Sequence, residues 1–259
     1  MPPRDPQAVL EKLGQTTLKI DAFFLRRTGF IANQTVLKLD EYNLHCVPAT
    51  LGIVEARFLA VLTPSEINLF SKFKAGIHIL ILTFDNPEMK DVKRFPLRVG
   101  LVDLVPVPER KNVCFLMLKF KSLPTEFILF LGNYVDELEA RQRAWETLAA
   151  QDFPFDAVAA RILGLTGELS LCSGDQKRPA ELVSFHTKRL VLQGVSGVAA
   201  GPVRIQMSFR DQPVILEGTW DGEGVFLADF QPDWLDLVED YQFHRQLKQK
   251  NDPQKGVKG

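Results

Sequence analysis

The side chains of this chain with the clearest chemical potential are basic groups that stand close together in two segments. The basic residues are Arg141, Arg143, His186, Lys188 and Arg189, and the neighbouring Ser184 adds a hydroxyl group. A guanidinium can bind two phosphate oxygens at once and can also stack on a purine face. A pocket built from these residues would suit a phosphate-containing ligand, so we take them as the candidate binding residues.

Several of these charged residues also have a purely structural interpretation. Arg141 and Arg143 are two positions apart on a predicted helix, so they point to different faces and at least one is expected in solvent. His186 falls in a predicted turn and is expected to be an exposed polar residue. The acidic residues Asp236 and Glu239 are expected to form a solvated helix face.

Catalytic and metal-binding patterns are not found in the sequence. Ser184 has no nucleophile elbow around it, and Gly194-Val195-Ser196-Gly197 is one residue short of that motif. The 4 histidines and 3 cysteines are scattered, without the paired spacing that zinc sites use. We therefore predict no enzyme, no metal and no resident cofactor.

The net charge of the chain and the lengths of its apolar stretches limit the partners and the cellular location that we expect. The net charge is -1, from 31 basic and 32 acidic residues, so no global field attracts DNA, RNA or anionic lipid. The most apolar stretches, Ile77 to Phe84 and Phe127 to Leu131, are shorter than the roughly 20 residues that span a bilayer. The start, Met-Pro-Pro-Arg-Asp-Pro, lacks the apolar region of a signal peptide. We expect a cytoplasmic protein that does not span a membrane.

Short β runs dominate both halves of the chain. The first half has six predicted strands: Gln34 to Leu39, Leu44 to Leu51, Val54 to Leu62, Gly76 to Phe84, Arg94 to Val105 and Val113 to Phe120. The second half has six more: Glu168 to Cys172, Pro179 to Phe185, Lys188 to Gln193, Val203 to Phe209, Val214 to Trp220 and Val225 to Phe230. This density of strands predicts a mainly β protein built from antiparallel barrels or sandwiches.

Predicted helices connect and end these β regions. Pro124 suits the first helical position, and apolar residues recur at helical spacing from Phe127 to about Ala150. A short helix from Asp156 to Leu163 ends at Gly164, and a terminal helix starts at Pro232. The predicted organisation is residues 15–123 for an N-terminal barrel, 124–164 for linker helices, 165–249 for a C-terminal barrel with its helix, and 250–259 for a flexible tail.

The order and spacing of these elements resemble PilZ proteins, and in particular the tandem PilZ proteins of spirochaetes. The residues that carry the resemblance are Asn133-Tyr134, Glu137 to Arg143, Leu163-Gly164-Leu165, Leu182-Val183-Ser184 and Val203 to Gly218. The resemblance implies two six-stranded antiparallel PilZ-like β-barrels joined by a helix, with a C-terminal helix. It also implies cyclic di-GMP as a regulatory ligand, bound by an Arg-xxx-Arg pair in the linker and an Asp/Asn-x-Ser-xx-Gly turn in the barrel.

The sequence departs from that binding motif at several positions. Thr147 stands four residues after Arg143, and Trp145 stands four residues after Arg141, so the arginine pair lacks one member. In the barrel motif Ser184 is kept, but Leu182 replaces the acid and Thr187 replaces the glycine. Each missing charge-assisted hydrogen bond costs about 1.5 to 3 kcal/mol, or roughly ten- to a hundredfold in affinity.

Three functions remain open at this point. The first is a non-enzymatic PilZ-type adaptor that binds another protein, with a partner in motility or envelope machinery as the family resemblance implies. The second is a genuine cyclic di-GMP receptor whose two domains reorient on binding. The third is an enzyme or another ligand-binding barrel that shares only the strand pattern.

Overall fold

The chain folds as two units, Met1–Glu137 and Leu138–Gly259, in a computed structural model. The structure describes residues 5–14, 16–86, 91–147, 152–209 and 212–251. The point of division lies within the helix Thr125–Thr147, so one part of this helix belongs to each unit.

The first unit alternates short helices with β-strands. In chain order its elements are α1 (Pro6–Gly14), β1 (Leu18–Lys19), α2 (Ala22–Thr28), a 3-10 turn (Ala32–Gln34), β2 (Val36–Leu39), β3 (Tyr42–His45), β4 (Val47–Leu51), β5 (Glu55–Val61), α3 (Pro64–Phe70), a second 3-10 turn (Ser71–Phe73), β6 (His78–Asn86), β7 (Asp91–Pro106), β8 (Val113–Ser122) and the start of α4 (Thr125–Thr147). The six predicted strand regions are therefore occupied by strands.

These strands form one antiparallel sheet. Within the described residues its order is β1-β4-β5-β8-β7-β6-β2-β3, with β1 and β3 as the outer strands. The six-stranded barrel predicted for this half is therefore not confirmed. The prediction of one strand over Leu44 to Leu51 is wrong, because the backbone N–H of Cys46 donates to the Thr35 carbonyl at 3.3 Å and separates β3 from β4.

The core of this unit lies between the sheet and the first part of α4. Along β8, every second side chain from Cys114 to Phe120 is buried, as expected for a strand with one face in the core. Phe127 of α4 packs on Phe95 of β7 with ring centroids 5.1 Å apart. Aromatic contacts of this kind fix the helix to the sheet and explain its apolar spacing.

The second unit contains a closed barrel. Its elements are the rest of α4, β9 (Phe153–Pro154), α5 (Ala157–Leu163), β10 (Leu165–Ser173), β11 (Gln176–His186), β12 (Arg189–Gln193), β13 (Gly201–Phe209), β14 (Gln212–Trp220), β15 (Val225–Ala228) and α6 (Pro232–Asn251). Within the described residues six antiparallel strands close in the order β10-β13-β14-β15-β12-β11, because β11 also pairs with β10. The barrel predicted for the C-terminal half is confirmed, and β9 adds a short strand beside β11.

Two helices complete the second unit as their sequence signals predict. The Asp156 carboxylate caps α5 by accepting from two backbone N–H groups, and Gly164 ends it in the left-handed conformation at φ 61°. Trp234, Leu235 and Val238 of α6 are fully buried in the barrel core. The predicted end of the linker helix near Ala150 and residues 252–259 of the predicted tail lie outside the described residues, while residues 250 and 251 belong to α6.

Candidate functional site

The turn between two paired strands of the second unit, β11 and β12, brings three of the six candidate residues together. Strand β11 ends at His186, a tight turn follows, and β12 begins at Arg189, which pairs with His186 in register. On the other side of β11, β9 pairs Phe153 with Phe185, which places the preceding residue, Asp152, beside the same turn. The resulting group of Asp152, His186, Lys188 and Arg189 is called the Asp152 cluster below.

Asp152 neutralises the arginine of this cluster. Its carboxylate forms an ion pair with the Arg189 guanidinium, and its other oxygen lies 3.8 Å from Nε2 of His186. The Lys188 ammonium donates instead to the backbone carbonyl of Glu146 at 3.0 Å. Because Glu146 is in the last turn of α4, this contact also places a cation at the negative end of the helix dipole.

His186 is buried, which contradicts the sequence prediction of an exposed turn residue. The residue is only 7% exposed, and its carbonyl accepts from the Trp234 indole N–H at 3.3 Å. The backbone N–H of Lys188 donates to Nδ1 at 3.0 Å, so the proton of the neutral ring belongs on Nε2. Burial lowers the pKa of His186 from its ordinary value of 6.5, assisted by Arg189 and Lys188 and opposed by Asp152. The ring is therefore neutral near pH 7.

Arg141 belongs to a different group, formed between α4 and α6. Its Nη1 lies 2.9 Å from Oδ1 of Asp236 and 2.6 Å from Oε2 of Glu239. These three residues are called the Arg141 clasp below. The prediction that Asp236 and Glu239 only form a solvated helix face is wrong, because both carboxylates hold a guanidinium of another helix.

The two remaining candidates lie outside both groups. The Arg143 side chain is 69% exposed and only 4.0 Å from Glu139, one turn earlier on α4. This agrees with the expectation that at least one linker arginine is solvated. Ser184 is half-buried on β11, where it pairs with Val191 of β12 and Pro154 of β9.

Three side chains at positions that align with the PilZ motif, Trp145, Leu182 and Thr187, are buried in the structure. Trp145 is 7% exposed and packs on Phe230 with ring centroids 5.8 Å apart, so the position four residues after Arg141 serves the core. The Leu182 side chain, at the position of the motif acid, is buried at 6% exposure. Thr187, at the glycine position, is 2% exposed. The side chains at these three positions therefore contribute to the packing of the second unit.

The charges of the two groups balance. Across these described residues the cations are Arg141, Lys188 and Arg189, and the carboxylates are Asp152, Asp236 and Glu239. Three positive and three negative charges leave a formal sum of zero with His186 neutral. A phosphate ligand would have to compete with carboxylates that already form charge-assisted pairs with both guanidiniums.

Sequence reasoning missed Asp152, Asp236, Glu239 and Trp234 as members of these groups. Asp152 and Arg189 are 37 positions apart, and Arg141 and Glu239 are 98 apart. No local spacing rule connects residues at such separations. Only the pairing of β9 with β11 and the packing of α6 against α4 bring them into contact.

Other chemistry finds no support in the part of the chain that the structure describes. There, no group of three or more His, Cys, Asp or Glu side chains could hold a metal ion. Burial raises the pKa of the Cys46 thiol to about 12 and also raises that of Cys114, so both are poor nucleophiles near neutral pH. None of the helices among the described residues is long and apolar enough to cross a membrane.

Comparisons with known proteins add the following findings. No family model and no curated protein sequence matches the chain. PlzA of Borreliella burgdorferi, solved in complex with c-di-GMP, is 14% identical, with a TM-score of 0.46 over 91% of this chain and 97% of PlzA. YcgR of Escherichia coli, also solved in complex with c-di-GMP, is 8% identical, with a TM-score of 0.28 over 96% of this chain and 95% of YcgR. The motility inhibitor MotI of Bacillus subtilis is 10% identical, with a TM-score of 0.26 over 84% of this chain and 98% of MotI. These three solved structures are PilZ-domain proteins, the family that the sequence layout resembles.

Proposed function

We propose that this chain is a non-enzymatic PilZ-type effector that acts by contact with another protein and does not bind cyclic di-GMP tightly. The proposal starts from the sequence resemblance and from the closed barrel of the second unit. A partner in motility or envelope machinery is the class that the resemblance implies.

The observation that carries the proposal is the Arg141 clasp. Arg141 is the linker arginine with the less exposed side chain, at 25%, and its guanidinium is already bound by Asp236 and Glu239. A dinucleotide phosphate would have to compete with both carboxylates for the charge of this guanidinium. The absence of the second arginine and of the barrel acid weakens binding further, by about 1.5 to 3 kcal/mol for each residue.

Isothermal titration calorimetry of the full chain with cyclic di-GMP tests the proposal. Two missing ligand-binding residues weaken a site with a Kd of about 0.1 μM by roughly a hundredfold or more, so we expect a Kd above about 10 μM. PlzA of Borreliella burgdorferi, whose structure contains c-di-GMP, is the positive control in the same buffer. Sub-micromolar binding by this chain would overturn the proposal.

The second candidate is a genuine cyclic di-GMP receptor whose two domains reorient on binding. It is favoured by the closeness of the cations of the second unit. Trp234 of α6 donates to His186 of the Asp152 cluster, and Asp236, two positions later on the same helix, belongs to the Arg141 clasp. In this case the ligand phosphates would replace the carboxylates at Arg141 and Arg189. Measurable binding should then disappear in Arg141→Gln and in Arg189→Gln, while the exposed Arg143→Gln serves as the control. Binding that survives both changes would exclude this site.

A further inference from the structure

The first unit carries an open recess of about 550 Å³ on the solvent-facing side of its sheet. Ligand sites for small molecules have volumes of about 300 to 1,000 Å³, so its size is sufficient for one. The recess is lined by Lys74, Ala75, Gly76, Ile77, Gly100, Leu101, Val102, Lys119 and Lys121. It shares no residue with the second unit, so an inference about it is independent of the function proposed above.

A glycine creates the floor of this recess. Gly100 of β7 lies directly opposite Lys119 of β8, so a side chain at position 100 would stand beside that lysine. A Cβ atom at Gly100 would lie 3.0 Å from Cε of Lys121 and 3.8 Å from the Gly76 carbonyl oxygen. The missing side chain therefore leaves room between the sheet and the loop from Lys74 to Ile77.

The charges at the recess favour an anion. Lys119 and Lys121 are exposed and stand on the same face of β8, two positions apart. Within the described residues neither lysine has an ion pair, although Glu55 lies opposite Lys119 in the β5–β8 register. Lys74 is already paired with Asp103 at 2.7 Å. Two adjacent ammonium groups are therefore the ones available to an incoming ligand.

The walls of the recess are apolar and accessible. Ile77 is 56% exposed and Val102 is 55% exposed. Covering apolar surface of this kind with part of a ligand is favourable, because it removes that surface from water. The site thus combines a cationic edge, which suits a phosphate, with apolar walls, which suit a ring or an alkyl group.

We propose that this recess binds a small, soluble organic phosphate. The phosphate group contacts the ammonium groups of Lys119 and Lys121, and the organic part of the ligand covers Ile77 and Val102. Lysine suits the phosphate because its ammonium group is a compact point charge with three donors.

Adenosine monophosphate is a suitable probe, because it joins one phosphate to a flat ring. We would titrate it into the 15N-labelled full chain and follow the backbone amide signals of Gly76 and Gly100. We expect saturable shifts with a Kd of about 1 mM or tighter. Adenosine and inorganic phosphate, each with half of the probe's chemistry, should bind at least about tenfold more weakly.

Variants separate this site from general charge attraction. Lys119→Gln with Lys121→Gln should weaken binding at least about tenfold. Lys72→Gln with Lys111→Gln removes the same charge outside the recess and should change the Kd by less than about twofold. Gly100→Val keeps every charge but fills the floor, and it should also abolish the shifts. The proposal is overturned if no saturable shift occurs up to about 10 mM probe, or if both lysine pairs weaken binding equally.

Discussion

Replacing Arg141 by methionine isolates the contribution of the Arg141 clasp to the stability of the second unit. Methionine keeps an unbranched chain of similar length but removes both ion pairs. The side chains of Arg141, Asp236 and Glu239 are 25%, 30% and 40% exposed, so solvent screens the pairs in part. Exposed pairs contribute about 0.2 to 1 kcal/mol each. The change also leaves two carboxylates three positions apart on α6, which repel by about 0.2 to 0.5 kcal/mol. We expect a total loss of about 0.6 to 2.5 kcal/mol.

Tryptophan fluorescence in urea measures this loss selectively. All 3 tryptophans of the chain, Trp145, Trp220 and Trp234, belong to the second unit and are buried there. Their signal therefore reports the unfolding of that unit without a contribution from the first. With an m value of about 2 kcal/mol/M, the urea midpoint should fall by about 0.3 to 1.2 M.

Arg143→Met is the matched control, because it removes the same charge two positions along the same helix. Its side chain is 69% exposed and 4.0 Å from its nearest carboxylate partner, so the expected loss is below about 0.5 kcal/mol. Exchanging the charges, with Arg141→Glu and Glu239→Arg together, should recover part of the stability lost by either change alone. Equal losses for Arg141→Met and Arg143→Met would refute the reasoning that the clasp stabilises this unit.

Three further outcomes are expected from the same tryptophan signal. The pKa of His186 is lowered in the folded chain, so the unfolded chain, with the ordinary pKa of 6.5, binds a proton at a higher pH than the folded chain does. Stability should therefore fall as the pH drops below about 6.5, and His186→Gln should flatten that fall; an identical pH profile would contradict this. Asp156→Ala should cost about 1 kcal/mol because its carboxylate caps α5, whereas Asp156→Ser should stay close to the original stability. Gly218→Ala should destabilise the unit far more than Gly174→Ala, because a Cβ at Gly218 overlaps the Leu227 carbonyl oxygen. A Cβ at Gly174 has no atom within 4 Å, so this change costs only the strain of the positive φ, about 1 to 2 kcal/mol. Similar losses at both glycines would count against the steric argument.

The local sequence pattern was sufficient to predict most of the strands of this fold but not all of its helices. The strands predicted over Arg94 to Val105 and Val113 to Phe120 correspond to β7 and β8 of the structure. They could be predicted because an apolar run bounded by turn residues is typical of a strand with a buried face. The helices α1, α2 and α3 were not predicted. They are 9, 7 and 7 residues long, so they show little helical period, and α5, which is equally short, was predicted only from the Gly164 signal at its end. Their stability depends on caps, such as the Thr63 and Glu66 capping box of α3, and on packing.

The candidate site was predicted only in part. His186, Lys188 and Arg189 do come together, because a tight turn between paired strands keeps neighbours in sequence close in space. Arg141 joins a separate group, since its position on α4 directs it to α6. The burial of His186 was missed because turn residues are usually exposed, and here Trp234 of α6 covers the end of the strand.

The sequence by itself determined most of the β-strands of both units, the short helix α5 with its end at Gly164, and the approximate starts of α4 and α6. These features depend on neighbours within a few positions, where side-chain alternation, proline and glycine act directly on the backbone. Only the tertiary structure decided that the second sheet closes while the pairings of the first leave β1 and β3 as its outer strands. It also decided which carboxylates hold Arg141 and Arg189. Strand register and helix packing join residues that are tens of positions apart, and such contacts depend on the free energy of the whole fold rather than on any local pattern.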